Sequence, residues 1–130
     1  MQPVPKTAMK MVAEAKQRIE NLSPDQVAAE LESGGVLLVD LREAEERIEK
    51  GVIPGSIHAP RGMLEFHADP TDDDHRPEFD PERRTILYCA GGARSALAVE
   101  TLEQLGYTDV AHLEGGFTAW TRASREVRPA

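Results

Sequence analysis

The chain has 130 residues, of which 40% are hydrophobic and 29% charged, and a formal net charge of −8. That length suits one domain with a single core and is too short for two of ordinary size. The acidic balance and the lack of any basic cluster exclude a nucleic-acid partner, and no stretch approaches the roughly 20 apolar residues of a membrane span.

The first residues lack the apolar core and small-residue cleavage site of a secretory signal, so a cytoplasmic location is expected. The single cysteine, Cys89, agrees with that, because a free thiol persists best in a reducing compartment.

Met1 to Lys6, with Pro3 and Pro5, reads as an extended end. Ala8, Val12, Ala15 and Ile19 then share one face of a helix, which gives residues 1–20 the character of an N-terminal extension with an amphipathic helix. It either packs on the domain's own flank or serves a partner. Ile19 to Leu22 suits a short edge strand. Ser23-Pro24-Asp25-Gln26 combines a capping serine, a first-turn proline and a capping-box glutamine, and starts a helix to about Glu32. Ser33-Gly34-Gly35 ends it. Val36 to Val39 is a buried-strand run leading into Asp40-Leu41-Arg42.

Glu43 to Lys50 is charged almost throughout and predicts a solvated helix touching the core through Ala44 and Ile48. A turn-rich passage follows at Gly51 to Gly55, then a third strand at Ser56 to Pro60, Arg61-Gly62, and a small helix over Met63 to His67. Asp69 to Pro81 is an acidic, proline-punctuated loop, longer than most connections. Met9, Met11 and Met63 are expected in packing roles.

Thr85 to Tyr88 is a fourth buried strand, with Cys89 at its carboxyl end. Ala90-Gly91-Gly92-Ala93 has no side chain beyond a methyl, which allows a tight turn with inward N–H groups. A helix follows Arg94, with Ser95 near its start and Gly106 at its end. Val110 to Leu113 is the fifth strand, and Phe117 and Trp120 ride on a last helix. Residues 124–130 form a polar tail. The alternation predicts an α/β fold, a parallel five-stranded sheet flanked by helices on both faces, with ligands at the carboxyl ends of the strands.

A cysteine beneath inward amides and beside a helix start should ionise more readily than an ordinary thiol, with no partner base. None is recognisable near Cys89, and the histidines at 58, 67, 75 and 112 cannot be placed against it, so a Cys/His pair is unsupported. The cradle Ala90, Gly91, Gly92, Ala93, Arg94 and Ser95 favours an oxyanion or a persulfide, with Arg94 as a planar donor fork. The alternative is a small buried cysteine of no chemical consequence. His67 and His75 flank the acidic DPTDDD segment without metal-ligand spacing, so no metal site is expected there.

Four segments, LVDLR at 38–42, GVIPGSIHAPRG at 51–62, CAGGARS at 89–95 and LEGGFTAW at 113–120, occur in the order of the single-domain rhodanese-like sulfurtransferases, which residues 21–123 resemble. The resemblance implies that Cys89 takes a sulfane sulfur from thiosulfate or a persulfide donor. It then passes that sulfur to cyanide, a thiol or another protein, with no cofactor or metal. It further implies that Arg94 closes the loop, that Asp40 and Arg42 are either a charged pair near the pocket or a structural ion pair, and that Arg61 is a second anion contact. Gly115, Gly116 and Trp120 look like fold residues. Related phosphatases carry one more residue between cysteine and arginine, so CAGGAR favours sulfur over phosphate. Two departures stand out. Val52 replaces a histidine common in relatives, and the loop has no second cation, which leaves the pocket less basic than in relatives that use thiosulfate well. A persulfide carrier with little small-molecule turnover is the alternative function.

Overall fold

The structure, a computed structural model, describes residues 4–130. Five parallel strands form one sheet in the order β1-β5-β4-β2-β3: β1 Glu20–Leu22, β2 Leu37–Asp40, β3 Ile57–His58, β4 Thr85–Tyr88 and β5 Val110–Leu113. Parallel strands need crossovers, and helices supply them: α1 Ala8–Arg18, α2 Pro24–Ser33, α3 Ala44–Lys50, α4 Leu64–Ala68, α5 Ala93–Gln104 and α6 Gly116–Arg122. A single 3-10 turn, Arg61–Met63, leads into α4.

Both faces of the sheet are covered, which is why β2, β4 and β5 are buried at every position. Side chains alternate between two cores. Leu37, Val39, Leu87, Cys89 and Val110 face Leu64 of α4 and Ala98, Val99 and Leu102 of α5. Leu38, Ile86, Tyr88, Ala111 and Leu113 face Val27 of α2 and Phe117 and Trp120 of α6.

Local chemistry places the helix starts. Ser23 Oγ accepts from Gln26 N at 3.1 Å while Gln26 Oε1 accepts from Ser23 N at 2.8 Å, the reciprocal capping box that the sequence predicts. α1 starts with Thr7 as its cap, and Val12 and Ala15 are buried. It packs on α5, where Arg18 grips Glu100, and so takes the flank position. The extended end expected for Met1 to Lys6 lies outside the described residues at positions 1–3.

Three expectations change. Ile48 does not touch the core and is 78% exposed, because α3 buries none of its residues. Met9 and Met11 are also exposed, Met11 at the cleft between α1 and α5. α5 begins at Ala93, two residues before Ser95, because Gly92 adopts φ +99° and turns the chain directly into the helix. The polar tail is anchored: Val52 and Arg128 exchange backbone hydrogen bonds of 2.7 and 3.0 Å, and Trp120 Nε1 donates to Glu126 O at 2.8 Å.

Candidate active site

Cys89 follows the last residue of β4, the strand at the centre of the sheet, and is fully buried. Its Sγ accepts from Gly92 N at 3.2 Å and Ser95 N at 3.4 Å. Those two amides are the part of the predicted cradle that meets the sulfur.

What turns the loop inward is the motif on the neighbouring helix. Phe117 N and Thr118 N, in the first turn of α6, donate to Cys89 O at 2.8 Å and Ala90 O at 3.0 Å. With the carbonyls drawn outward, the following amides are free to face the sulfur. Close approach makes this possible. A Cβ on Gly116 would lie 2.5 Å from Cys89 O, and one on Gly92 would lie 3.1 Å from Gly115 N. Gly115 and Gly116 therefore serve the fold, and they also shape the cysteine loop.

Arg94 does project from the loop's end, but its fork is already filled. Its Nη1 and Nη2 donate to Glu46 Oε2 and Oε1 at 2.8 and 2.9 Å. Those hydrogen bonds hold the Glu46 carboxyl down at about 2 and raise Arg94. The charged run of α3, which reads as a solvated helix, conceals Glu46. The signal was its place six positions after Asp40, on the helix that follows the neighbouring strand.

Asp40 and Arg42 form a buried ion pair. Arg42 Nε and Nη2 donate to Asp40 Oδ1 and Oδ2 at 3.0 and 2.8 Å, and its backbone N–H caps Oδ1 at 3.0 Å. Arg47 Nε and Tyr88 Oη also donate to Oδ2, each at 3.0 Å. Arg42 further donates to Gly51 O at 2.7 Å and lies 4.2 Å from the Phe117 ring centroid. Desolvation is the largest influence and works to lower Arg42, but the hydrogen bonds and charge of Asp40, with Tyr88, together outweigh it, so the guanidinium stays charged. Burial first, and then the Asp40 charge, push Tyr88 up to about 12. With these partners the pair acts as an internal strut, and its outer edge contributes to a cleft of about 320 Å³ shared with Glu46, Lys50, Ala90, Phe117 and Thr118.

Arg61 is not brought to the cysteine. Its Nη1 donates to Glu65 at 2.8 Å and its Nη2 to Thr101 at 3.4 Å, and it lines a separate cleft between α1 and α5. The reason is local: the 3-10 turn that starts at Arg61 directs the side chain along α4 and α5. The second anion contact implied by the resemblance is thus absent from the loop.

One histidine, unplaceable from sequence, is close. The register of β5 against β4 sets His112 opposite Leu87, on the same face as Cys89. Its Nδ1 lies 2.8 Å from Ser95 Oγ, and Ser95 Oγ lies 3.5 Å from Cys89 Sγ.

A central-strand cysteine heading a six-residue loop, clamped by a double-glycine helix start on a five-stranded parallel sheet, defines a class of α/β proteins with a cysteine loop at the carboxyl edge of the sheet. Residues 23–123 match the rhodanese-like domain family, and the chain belongs to it. It is 37% identical over 87 residues to a sulfurtransferase of Allochromatium vinosum, covering 67% of this chain and 73% of that one. A provisionally named sulfur carrier of Bacillus subtilis, YrkF, is 32% identical over 84 residues, 65% of this chain, which spans only 40% of that protein. A solved structure from Rhodopseudomonas palustris, of unknown function and named a possible tyrosine phosphatase, superposes with a TM-score of 0.89. It is 39% identical and covers 98% of each chain, so it includes the region of α1, which lies outside the family match.

Proposed function

We propose that the protein is a sulfurtransferase that carries its sulfur as a persulfide on Cys89. The thiolate attacks the outer sulfur of thiosulfate or of a persulfide; a new S–S bond forms on Sγ, and the old one breaks with its electron pair leaving on sulfite or a thiolate. A thiol or cyanide then attacks the terminal sulfur, and Cys89 leaves as the thiolate. The observation that carries this reading is the pair of amides, from Gly92 and Ser95, aimed at Sγ at the carboxyl end of the central strand. These fixed dipoles stabilise charge on sulfur in both the empty and the loaded protein. Replacing Cys89 with serine should abolish transfer from every donor while leaving the far-ultraviolet circular dichroism unchanged. Transfer by that variant would remove Cys89 from the mechanism.

Among donors, the site favours a persulfide over thiosulfate. The loop's one cation is held by Glu46, so a dianion meets no free guanidinium. This also supports the reading of the protein as a carrier that receives sulfur from another protein, in keeping with its likeness to YrkF. A reducing compartment such as the cytoplasm suits its free thiol. No helix among the described residues is long and apolar enough to cross a membrane.

A further inference from the structure

Asn21 fixes the protonation of His112. Its Nδ2 donates to Lys16 O at 2.9 Å and Ile19 O at 3.1 Å, which turns Oδ1 toward His112 Nε2 at 2.7 Å. A carbonyl oxygen only accepts, so Nε2 carries the hydrogen and Nδ1 of the neutral ring is bare. Ser95 has one hydroxyl hydrogen. It goes to Nδ1 at 2.8 Å rather than to Gly92 O at 3.3 Å, leaving an oxygen lone pair facing Cys89 Sγ. The result is a directed chain from Cys89 S–H to Ser95 O–H to His112 to Asn21, buried at Cys89, Ser95 and His112.

Charged groups flank His112. Glu114 Oε2 is buried, has no hydrogen-bond partner among the described residues, and lies 3.4 Å from Nε2. Burial lowers His112 and Lys16, itself 2.6 Å from Glu114 Oε1, adds to that, while Glu114 offsets part of it, so that the ring sits at about 4. The ring is therefore neutral when the sulfur is a thiol, and its protonated form needs a nearby negative charge.

We infer that His112 is a positioning residue for Cys89: through the Ser95 hydroxyl it takes up the thiol proton, so that the thiolate forms together with a buried imidazolium. The S–H bond breaks as an O–H bond forms on Ser95, and the original Ser95 hydrogen moves to Nδ1. Serine ends neutral, and the pair exchanges no proton with solvent. This rests on Cys89 as the reacting group. It also gives the N-terminal region a task, because Asn21 and the Lys16 and Ile19 carbonyls that orient it all precede the family match at residue 23.

The test is the rate of Cys89 alkylation by iodoacetamide as a function of pH, unambiguous because there is one cysteine. A thiolate formed by internal transfer does not depend on pH. The wild type should therefore show a flat shoulder on the acid side, whereas His112→Gln should fall about tenfold per pH unit, as a lone titrating thiol does. Glu114→Gln, at a half-exposed site that should fold normally, separates the relay from simple charge effects. Acting directly on the sulfur, loss of a negative charge would raise the thiolate fraction and the shoulder; acting through His112, it lowers the shoulder. A lower shoulder in Glu114→Gln supports the relay. No shoulder in the wild type, an unchanged one in His112→Gln, or a higher one in Glu114→Gln overturns it. Alkylation needs no sulfur donor, so a shoulder in a protein that forms no persulfide would support the relay while overturning the proposed function.

Discussion

Arg94 and Glu46 face each other fork to fork, with N···O distances of 2.8 and 2.9 Å, at the mouth of the cysteine loop. The carboxylate occupies both arms of the guanidinium fork. Glu46 also accepts from Glu43 N at 2.7 Å and so anchors the start of α3. One residue thus ties the neighbouring helix to the cysteine loop.

Glu46→Gln separates these two roles, because the amide oxygen can keep the α3 capping bond while the charge is lost. The half-exposed pair contributes at most about 1 kcal/mol to stability, so the variant should fold normally. With Arg94 released, KM for thiosulfate should fall several-fold while KM for a small persulfide donor, which brings no oxyanion group for the guanidinium fork, barely changes. Steady-state kinetics with both donors measures the split. Equal change with each donor would mean that Glu46 does not control anion access.

Arg42→Met should leave Asp40 buried with Arg47 as its one remaining cation. Breaking a buried pair typically costs about 3–5 kcal/mol, so chemical denaturation should show a loss of that order. Cys89 alkylation in the folded variant should change little, which would mark the pair as a strut and not a substrate contact.

Gly116→Ala places a methyl 2.5 Å from Cys89 O and 2.7 Å from Ala90 O, at a φ of +59°. Neither carbonyl can give way without turning the amides of the loop. The expected outcome is a loss of sulfur loading far greater than that in Gly55→Ala, where open space surrounds the added carbon. Both glycines have positive φ, so the comparison removes the shared backbone strain.

Stability should fall on mild acidification. His112, shifted from 6.5 to about 4 by burial, binds its proton less readily in the folded chain than in the unfolded one. The contribution is therefore fully present above pH 6.5 and is lost as the pH falls toward 4; its size is of order 3 kcal/mol. Denaturation midpoints measured across that window should decline in the wild type and decline less in His112→Gln. Parallel declines would assign the effect to other groups.

Much of this molecule is readable from residue order. Short β-branched runs bounded by glycine and charge mark β2, β4 and β5, and the Ser23/Gln26 box marks the start of α2, because these signals are local. The cysteine loop is legible for the same reason: small residues between a buried strand and a helix have few other uses. What the order of residues hides is pairing across the sheet. His112 reaches Cys89 only because β5 lies beside β4 in a particular register, and Glu46 reaches Arg94 only because α3 ends up beside the loop. Arg61 illustrates the reverse. It follows a strand, as a rim residue should, yet a single 3-10 turn carries its side chain to Glu65 and Thr101. The exposed Ile48 follows from an α3 held by its two ends and by Glu46, with no apolar face against the core.

The central claim is that sulfur travels on Cys89, and intact-protein mass spectrometry tests it most directly. After treatment with thiosulfate or a small persulfide, the chain should gain the mass of one sulfur atom, located on Cys89 by peptide mapping. Added cyanide should remove it and release thiocyanate in equal amount. A chain that gains no sulfur from any sulfane donor, or gains it at a position other than Cys89, would contradict the account.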